Sequence, residues 1–367
     1  MLPAATLFDR TCHDVALLQV FPETTNRFWR RRLVERKTEC LELSSHTVDN
    51  ERDTHLDALR GAGILLVVFG HLIEQPSQNS EILQAAYIGI YSFHMPLFVF
   101  LSGVFAREAL RGRDYRKIIW TLFLPLMLFQ CVYIGMSKVT GWYAYSLLTP
   151  YWLLWFIASL ICWRLLLPLF ASPGGLALAV VAAVAAGYDD SIGYALSASR
   201  TIYFLPFFVL GHLYGPQLIA VVRRRPFLFC CLFVVAIAAV LLWWRHGLNG
   251  AALTGSRDYA SGAADSAHPA TGRLMAMLLG LAAMLGFSAI VPRGSALLGW
   301  LGERSLSVYL LHGLVVMGFV GWGAVNMIPN PLLVPALAAL TLLVCLITAA
   351  ADAPMRRVFS PPVPQAA

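Results

Sequence analysis

From Asp57 onward the chain consists of long apolar stretches separated by short polar segments. An α-helix rises about 1.5 Å per residue, so roughly 18 to 24 apolar residues cover the ~30 Å of hydrocarbon in a bilayer. Ten such stretches can be placed: 57–75, 83–106, 117–138, 148–170, 174–188, 200–222, 226–245, 273–291, 304–323 and 331–351. The stretch 174–188 is the shortest. The pattern predicts an all-α integral membrane protein, a bundle of about ten transmembrane helices.

The charge content agrees with a membrane protein and excludes a nucleic-acid partner. Only 13% of the residues are charged, whereas soluble domains have about 25%. Residues 1–52 contain eight basic and eight acidic residues, so the net charge of +7 belongs to the apolar part of the chain. Basic residues between apolar stretches typically orient membrane helices. Five of the seven cysteines lie inside apolar stretches and none has the spacing of a zinc site, so we expect no metal.

The distribution of basic residues predicts the topology. Lys and Arg concentrate on the cytoplasmic side of membrane proteins. After residue 52, fourteen of them fall on one side of the ten helices and five on the other, which places both termini in the cytoplasm. We expect a cytoplasmic extension with the composition of a disordered segment (1–52), a transmembrane domain (53–352) and a short cytoplasmic tail (353–367). The external segment 247–272, rich in Gly, Ala and Ser, is expected to be flexible.

Histidines occur inside four of the predicted helices, at His71, His94, His212 and His312. Polar side chains in membrane helices cost free energy and therefore often mark functional sites. His71 lies eleven residues beyond Arg60, about 16 Å along the helix axis. The depths of His71, His94 and His312 predict that these three converge on one buried polar site. An imidazole there can accept a hydroxyl proton at neutral pH. The alternative is that each makes a structural hydrogen bond between helices.

Several motifs resemble one family. Residues 56–61 (LDALRG) and 64–71 (ILLVVFGH) resemble the opening of the membrane acyltransferase-3 family, in particular its fucose 4-O-acetylase-like branch. In that family an arginine and a histidine separated by ten residues mark the first transmembrane helix, and here these are Arg60 and His71. Further segments resemble the family in the same order: 93–98 (FHMPLF), 113–116 (RDYR), 152–156 (WLLWF), 203–208 (YFLPFF) and 301–312 (LGERSLSVYLLH). The resemblance covers about residues 53–350.

The resemblance implies an enzyme, an acetyl-CoA-dependent O-acyltransferase in the bacterial inner (cytoplasmic) membrane. Acetyl-CoA would be the co-substrate, and the acceptor would be a sugar hydroxyl on a glycan or a lipo-oligosaccharide. Within the branch, the motifs resemble those of enzymes that acetylate the fucose of lipo-chitin oligosaccharide nodulation factors or of surface glycans. Arginines bind phosphate groups such as those of coenzyme A. The cationic cluster that would bind the donor is Arg111, Arg113, Arg116 and Lys117.

The same resemblance implies roles for the polar residues. His71 would be the general base that deprotonates the acceptor hydroxyl, or would orient the acyl donor, and His94 is the second candidate for either role. Arg60 would hold the thioester arm of the donor, or would pair with Asp57 three residues earlier. Attack on a thioester creates an oxyanion, and Arg60 or Tyr309 is a candidate to stabilise it. Two further candidates are His312 and Trp155.

Two other functions are compatible with the pattern. A transporter or exporter could use the buried histidines as a proton relay, but it would be expected to contain two similar halves. The sequence has no convincing internal repeat. An inactive glycan-binding or assembly protein could share the scaffold. The chain contains neither a G-x-S-x-G nor a P-loop motif, so covalent serine chemistry has no support.

Overall fold

The computed structural model describes residues 53–141, 149–248, 250–262, 269–323 and 328–361. The helices within these ranges are α1 (Thr54–Ile73), α2 (Glu81–Val104), α3 (Gly112–Ile118), α4 (Leu124–Thr140), α5 (Trp155–Phe170), α6 (Pro173–Ala185), α7 (Ala198–Arg224), α8 (Pro226–Arg245), α9 (Gly250–Thr254), α10 (Tyr259–Gly262), α11 (Pro269–Ile290), α12 (Ala296–Glu303), α13 (Ser305–Gly321), α14 (Asn330–Ala350) and α15 (Asp352–Val358). The described residues contain no strand. The predicted extension, 1–52, and residues 362–367 of the predicted tail lie outside the described ranges.

Each of the ten predicted apolar stretches corresponds to helix in the structure. In the described part of the chain, eight helical segments are long and apolar enough to cross a membrane. One of these, Gly112–Val139, joins α3 to α4 through the π-helical turn Ile119–Phe123. The segment around α6, Pro173–Tyr188, is apolar but shorter. The ninth predicted stretch, 304–323, corresponds to α13, which follows α12 after a bend of 80°. The all-α, multi-pass membrane architecture is confirmed.

Helices α1 and α2 form the centre of the bundle. In their most apolar windows, 67% of the α1 residues and 72% of the α2 residues are buried, against 11% in α8. Helix α1 packs against α2, α12, α13 and α14, while α2 also packs against α7 and α11. The arginine and histidine of the family motif therefore both lie on a central helix.

Glycines allow α1 and α12 to approach closely. A Cβ atom at Gly61 would overlap the carbonyl of Leu298, and a Cβ atom at Gly302 would overlap the carbonyl of Asp57. Close backbone packing at small residues is a main source of stability between membrane helices. The chain then bends, and α13 packs along α1. The contact between α1 and α12 therefore helps to determine how α13 and its polar residues are oriented relative to α1.

The described residues between α8 and α11 are helical and hydrogen-bonded, whereas the composition of the segment predicts a flexible loop. Its described residues form α9 and α10 and pack onto neighbouring helices. The hydroxyl of Ser199 donates to the carbonyl of Gly255 (2.6 Å), and that of Tyr259 donates to the carbonyl of Val184 (2.9 Å). Nη2 of the buried Arg273, in α11, donates to the carbonyl of Arg257 (2.8 Å). These contacts hold the described residues of the segment against α6, α7 and α11.

Candidate active site

Two cavities lie beside α1. The His71 cavity, of about 460 Å³, has a largely aromatic and polar lining formed by His71, Glu74, Tyr87, Tyr91, His94, Trp152, Trp155, Tyr194, Arg200, Phe204, Thr254, Ser256, Arg257 and Tyr309, with four further residues. The Arg60 cavity, of about 580 Å³, has these polar and charged lining residues: Arg60, Ser102, Lys117, Thr121, Arg164, Glu303, Ser305, Ser307, Tyr309, Asp352, Arg356 and Ser360. Tyr309 lines both cavities.

The spacing of Arg60 and His71 explains how one helix serves both cavities. Eleven residues of α-helix span about 16 Å and turn through three full turns plus about 20°. The two side chains therefore project from the same face of α1 at different depths. Arg60 lines one cavity and His71 lines the other.

His71 is held in one orientation by three neighbours. Its Nδ1 lies 3.2 Å from Oε2 of Glu74 and 3.3 Å from the hydroxyl of Tyr91. Because a carboxylate only accepts hydrogen bonds, Glu74 assigns the proton to Nδ1 and leaves the lone pair on Nε2. The ring of Trp152 meets His71 edge-on, with 4.6 Å between centroids. The arrangement presents a basic nitrogen from an imidazole whose other nitrogen is bound to a carboxylate.

Three of the four predicted histidines come together. The rings of His71 and His312 stack with 5.5 Å between centroids, and His94 lines the same cavity as His71. In both His94 and His312, Nδ1 donates to the carbonyl four residues earlier, at 2.8 Å and 3.0 Å. Nε2 of the fully buried His312 has no hydrogen-bond partner among the described residues. His212 is half-buried and lines neither cavity.

Another part of the His71 cavity lining combines aromatic rings with an arginine. The guanidinium carbon of Arg200 lies 5.1 Å from the ring centroid of Trp155 and 5.5 Å from that of Tyr194, distances typical of cation–π contacts. The backbone φ angle is positive at Trp152 (40°) and Ser197 (57°), a conformation that costs free energy for residues other than glycine. Such strain is common at binding and catalytic sites.

The Arg60 cavity is rich in cationic side chains, namely Arg60, Lys117, Arg164 and Arg356. Nη1 of Arg60 lies 3.4 Å from Oδ1 of Asp57, so the pair that the sequence suggested is present. The Arg60 guanidinium also lies over the ring of Phe105, 3.8 Å from its centroid. Arg356 is bound to Asp352, with 2.6 Å between Nε and Oδ2. Two of the four cations thus have carboxylate partners, and the cavity keeps a positive character that suits an anionic ligand.

The predicted donor cluster lies only partly at this cavity. Lys117 lines it, whereas Arg111 and Arg113 are exposed and Arg116 is half-buried outside the lining. Arg111 caps the N-terminus of the short helix α3, where its backbone N–H donates to the carboxylate of Asp114 at 2.9 Å. The other basic residues of the lining are Arg60 from α1, Arg164 from α5 and Arg356 from α15. These helices are far apart in the sequence, so the sequence did not predict that the three residues lie together.

Tyr309 forms the wall between the two cavities. It is only 6% exposed, and its hydroxyl donates to the carbonyl of Leu153 in the turn before α5. Leu153 lines the His71 cavity, while Phe156, whose ring centroid is 5.4 Å from that of Tyr309, lines the Arg60 cavity. A ligand group that passes from one cavity to the other would therefore pass Tyr309.

The predicted site residues lack several charged residues of the two cavities, among them Glu74, Arg164 and Arg200. Each lies within or next to an apolar stretch, where a charge is a signal of function. Glu74 is also three residues after His71, a spacing at which helical side chains meet. Thr254, Ser256 and Arg257 line the His71 cavity as well, but their Gly- and Ala-rich surroundings carry no such signal.

Comparison with known proteins agrees with the motifs. The profile of the Acyl_transf_3 family, described as an acyltransferase domain, matches residues 53–350. The chain is similar to the nodulation protein NolL of Sinorhizobium fredii (strain NBRC 101917 / NGR234), at 29% identity over 220 residues, 53% of this chain and 59% of that protein. It is also similar to the nodulation protein NolL of Mesorhizobium japonicum (strain LMG 29417 / CECT 9101 / MAFF 303099), at 26% identity over 312 residues, 75% of this chain and 80% of that protein. No solved structure matches the chain.

The chain thus spans less than two thirds of the Sinorhizobium relative but four fifths of the Mesorhizobium relative. The family match includes α1 to α14 and most residues of both cavities. The family that the motifs predicted is confirmed, and both relatives named above are described as nodulation proteins. Because the match covers more than half of the sequence, the chain belongs to the acyltransferase-3 family, and its described residues have a multi-pass membrane architecture.

Proposed function

We propose that the protein transfers an acetyl group from acetyl-CoA to a sugar hydroxyl, with fucose of a lipo-chitin oligosaccharide or of a surface glycan as the acceptor. One observation carries the proposal. His71, held by a carboxylate, lines a cavity that meets, at Tyr309, a second cavity rich in cationic groups. The transfer needs a site with a general base for the acceptor and a cationic site for the donor. The aromatic-lined His71 cavity and the adjoining Arg60 cavity have these two properties.

The Arg60 cavity is the proposed donor site. Coenzyme A carries several phosphate charges, and guanidinium groups bind phosphate through paired, charge-assisted hydrogen bonds. Arg164 supports this role because its buried Nε has no partner among the described residues. Lys117 adds a second cation from α3. The thioester arm would extend past Arg60 toward Tyr309, and the cytoplasmic side of the predicted topology would be the side of this cavity.

The His71 cavity is the proposed acceptor site. Flat aromatic rings such as Trp152 and Trp155 pack on the apolar faces of sugars, and the polar side chains between them can bind hydroxyl groups. The relatives named as nodulation proteins make a lipo-chitin oligosaccharide a reasonable acceptor class to test first.

The proposed reaction uses His71 as a general base. Nε2 of His71 takes the proton of the acceptor hydroxyl as its oxygen attacks the thioester carbonyl carbon. The tetrahedral intermediate carries an oxyanion, and Arg60 is the candidate to stabilise it, because the one hydroxyl hydrogen of Tyr309 is donated to the carbonyl of Leu153. The carbon–sulfur bond then breaks, the ester forms, and the coenzyme A thiolate recovers the proton from His71. Glu74 keeps His71 in the required tautomer and stabilises the imidazolium.

Membranes that contain the protein test this proposal. Labelled acetyl-CoA and a fucosylated chitin oligosaccharide should give acetylated product, detected by a mass increase of about 42 Da. The His71→Gln variant should lose roughly 10²- to 10⁴-fold in rate, the usual contribution of a general base. The matched control is His212→Gln, because His212 lines neither cavity. Full activity of His71→Gln would exclude the proposed base.

The family match favours an acyltransferase over the transporter that the buried histidines also suggested. The same assay separates the two functions. A transporter predicts accumulation or export of the oligosaccharide without any change in its mass.

A further inference from the structure

One end of the His71 cavity carries two arginines that meet at a tyrosine. Arg200 and Arg257 both line the cavity, and both contact Tyr194. The guanidinium carbon of Arg200 is 5.5 Å from the Tyr194 ring centroid. The side chain of Arg257 makes a hydrogen bond with the Tyr194 hydroxyl, as does that of Ser256. We call these four residues the Tyr194 rim.

Among the described residues, no ion pair balances the positive charge of the rim. The ion pairs in that part of the chain involve neither Arg200 nor Arg257. Glu74, the acidic residue of this cavity lining, is bound to His71. Arg200 is half-buried and Arg257 is exposed, but Nε of Arg200 is buried and has no hydrogen-bond partner within the described ranges. A buried N–H group without an acceptor costs free energy, and a bound anion would remove that cost.

The positive charges of the rim also affect the pKa of Tyr194. Burial alone would raise the pKa of its phenol. The hydrogen bonds from Ser256 and Arg257, with the charges of Arg200 and Arg257, outweigh burial and lower the pKa below its usual value. The potential at this point therefore favours negative charge on any group that occupies it.

The rim and His71 lie along one aromatic wall. Trp152 contacts the ring of His71, and Trp155, three residues later, contacts Arg200. A ligand packed on this wall would reach His71 at one end and the rim at the other. The cavity volume, about 460 Å³, is within the range of small-ligand sites.

We propose that the Tyr194 rim binds an anionic group of the acceptor, so that the preferred acceptor is a fucosylated glycan that also carries a phosphate, sulfate or carboxylate. Arg200 and Arg257 bind the anionic oxygens while the hydroxyl to be acylated lies at His71. This inference deepens the proposed function and rests on it for the nature of the acceptor.

Thermal stability of the full-length protein in lipid nanodiscs tests the proposal without requiring acyl transfer. The probes are fucose 1-phosphate, glucuronate, fucose and inorganic phosphate, each over the same concentration range. Fucose 1-phosphate, glucuronate or both should raise Tm, because ligand binding stabilises the folded state, and fucose should not. Equal stabilisation by fucose or by inorganic phosphate would overturn the proposal.

Variants identify the residues involved. Arg257→Gln, at an exposed position, should raise the Kd of the stabilising probe on the order of tenfold, the usual effect of losing one charge-assisted hydrogen bond. Arg200→Gln should do the same, whereas Arg200→Lys should retain part of the affinity. The matched control is Arg245→Gln, since Arg245 is exposed and paired with Glu81 outside the cavity. Unchanged affinity in Arg257→Gln and Arg200→Gln would contradict the site.

The outcomes for the inference and for the proposed function can be told apart. If the charged probes bind as described but no acetyl transfer occurs, the anion site stands and the proposed reaction fails. If a neutral fucosylated oligosaccharide is acetylated with a KM that Arg257→Gln does not change, the reaction stands and the anion site fails.

Discussion

The two cavities beside α1 use their charged groups differently. At the Arg60 cavity, carboxylates bind arginines: Asp57 contacts Arg60, and Asp352 contacts Arg356. At the His71 cavity, the carboxylate of Glu74 binds an imidazole instead, and Arg200 lies against aromatic rings. Three helical turns of α1 thus separate a set of cations, suited to holding a charged donor, from a hydrogen-bonded base, suited to moving a proton.

After substitution of His71 itself, substitution of Glu74 is expected to have the largest effect on the turnover number. Glu74→Gln keeps the shape of the side chain but removes the charge that stabilises the imidazolium. We expect the turnover number to fall by at least about a hundredfold, with the KM for either substrate nearly unchanged. Steady-state kinetics with each substrate varied in turn measures this.

Two variants distinguish positioning by Glu74 from a general structural role. Glu74→Asp keeps the carboxylate and should recover part of the turnover. Glu81→Gln is the control for removing an acidic residue from the same region, because Glu81 is exposed and pairs with Arg245. A Glu74→Gln enzyme with a raised KM and normal turnover would refute the assigned role and remove the main difference between the cavities.

A smaller effect is expected at Arg164, in the Arg60 cavity. Arg164→Gln should raise the KM for acetyl-CoA about tenfold, because a charge-assisted contact to phosphate is lost. The KM for the acceptor should not change. Arg224→Gln provides an exposed arginine at the end of α7 as control.

Arg113→Gln, in parallel, compares the predicted surface cluster with the cavity. A larger increase of the donor KM in Arg113→Gln than in Arg164→Gln would favour the cluster that the sequence suggested.

Tyr309 tests whether the two cavities act together. Tyr309→Phe leaves the buried carbonyl of Leu153 without this hydrogen bond, a loss of about 1 kcal/mol or more. Since Tyr309 lines both cavities, we expect moderately reduced turnover and changes in the KM of both substrates. An effect on the acceptor KM alone would show that the cavities are functionally separate.

The smallest effect on catalysis, but a clear one on stability, is expected at Gly302. A Cβ atom there would overlap the carbonyl of Asp57, so Gly302→Ala should destabilise the α1–α12 contact by about 1–3 kcal/mol. Gly299→Ala in the same helix, where a Cβ atom meets nothing within 4 Å, should be neutral or slightly stabilising. Thermal unfolding in nanodiscs measures both. Equal melting temperatures would show that the contact can relax at no cost.

The sequence was sufficient to predict features that depend on a single helix. The spacing of Arg60 and His71 predicted two positions at different depths of one helix, because helical rise is constant. The length of the apolar stretches predicted eight helices that can span the membrane, while 174–188 is shorter in the structure. Helix α12 and its bend into α13 were not predicted, because the stretch 304–323 begins at the bend.

The sequence and the tertiary structure indicate different candidate donor sites. Arg111, Arg113, Arg116 and Lys117 form a cluster along the chain, but only Lys117 lines the cavity. Arg164 and Arg356 reach the same cavity from helices far apart in sequence. The segment with Arg257 was expected to be flexible from its composition, and it is instead fixed by hydrogen bonds to α7 and its neighbours.

The sequence by itself determined that the chain is a membrane bundle of the acyltransferase-3 family, because span length and motif order are properties of the chain alone. The tertiary structure decided the partners: that Glu74 binds His71, that Tyr309 separates two cavities, and that Arg200 and Arg257 share one tyrosine. These contacts depend on side-chain directions and on how closely helices pack. Both are set by atoms on different helices, and no local pattern in the sequence encodes them.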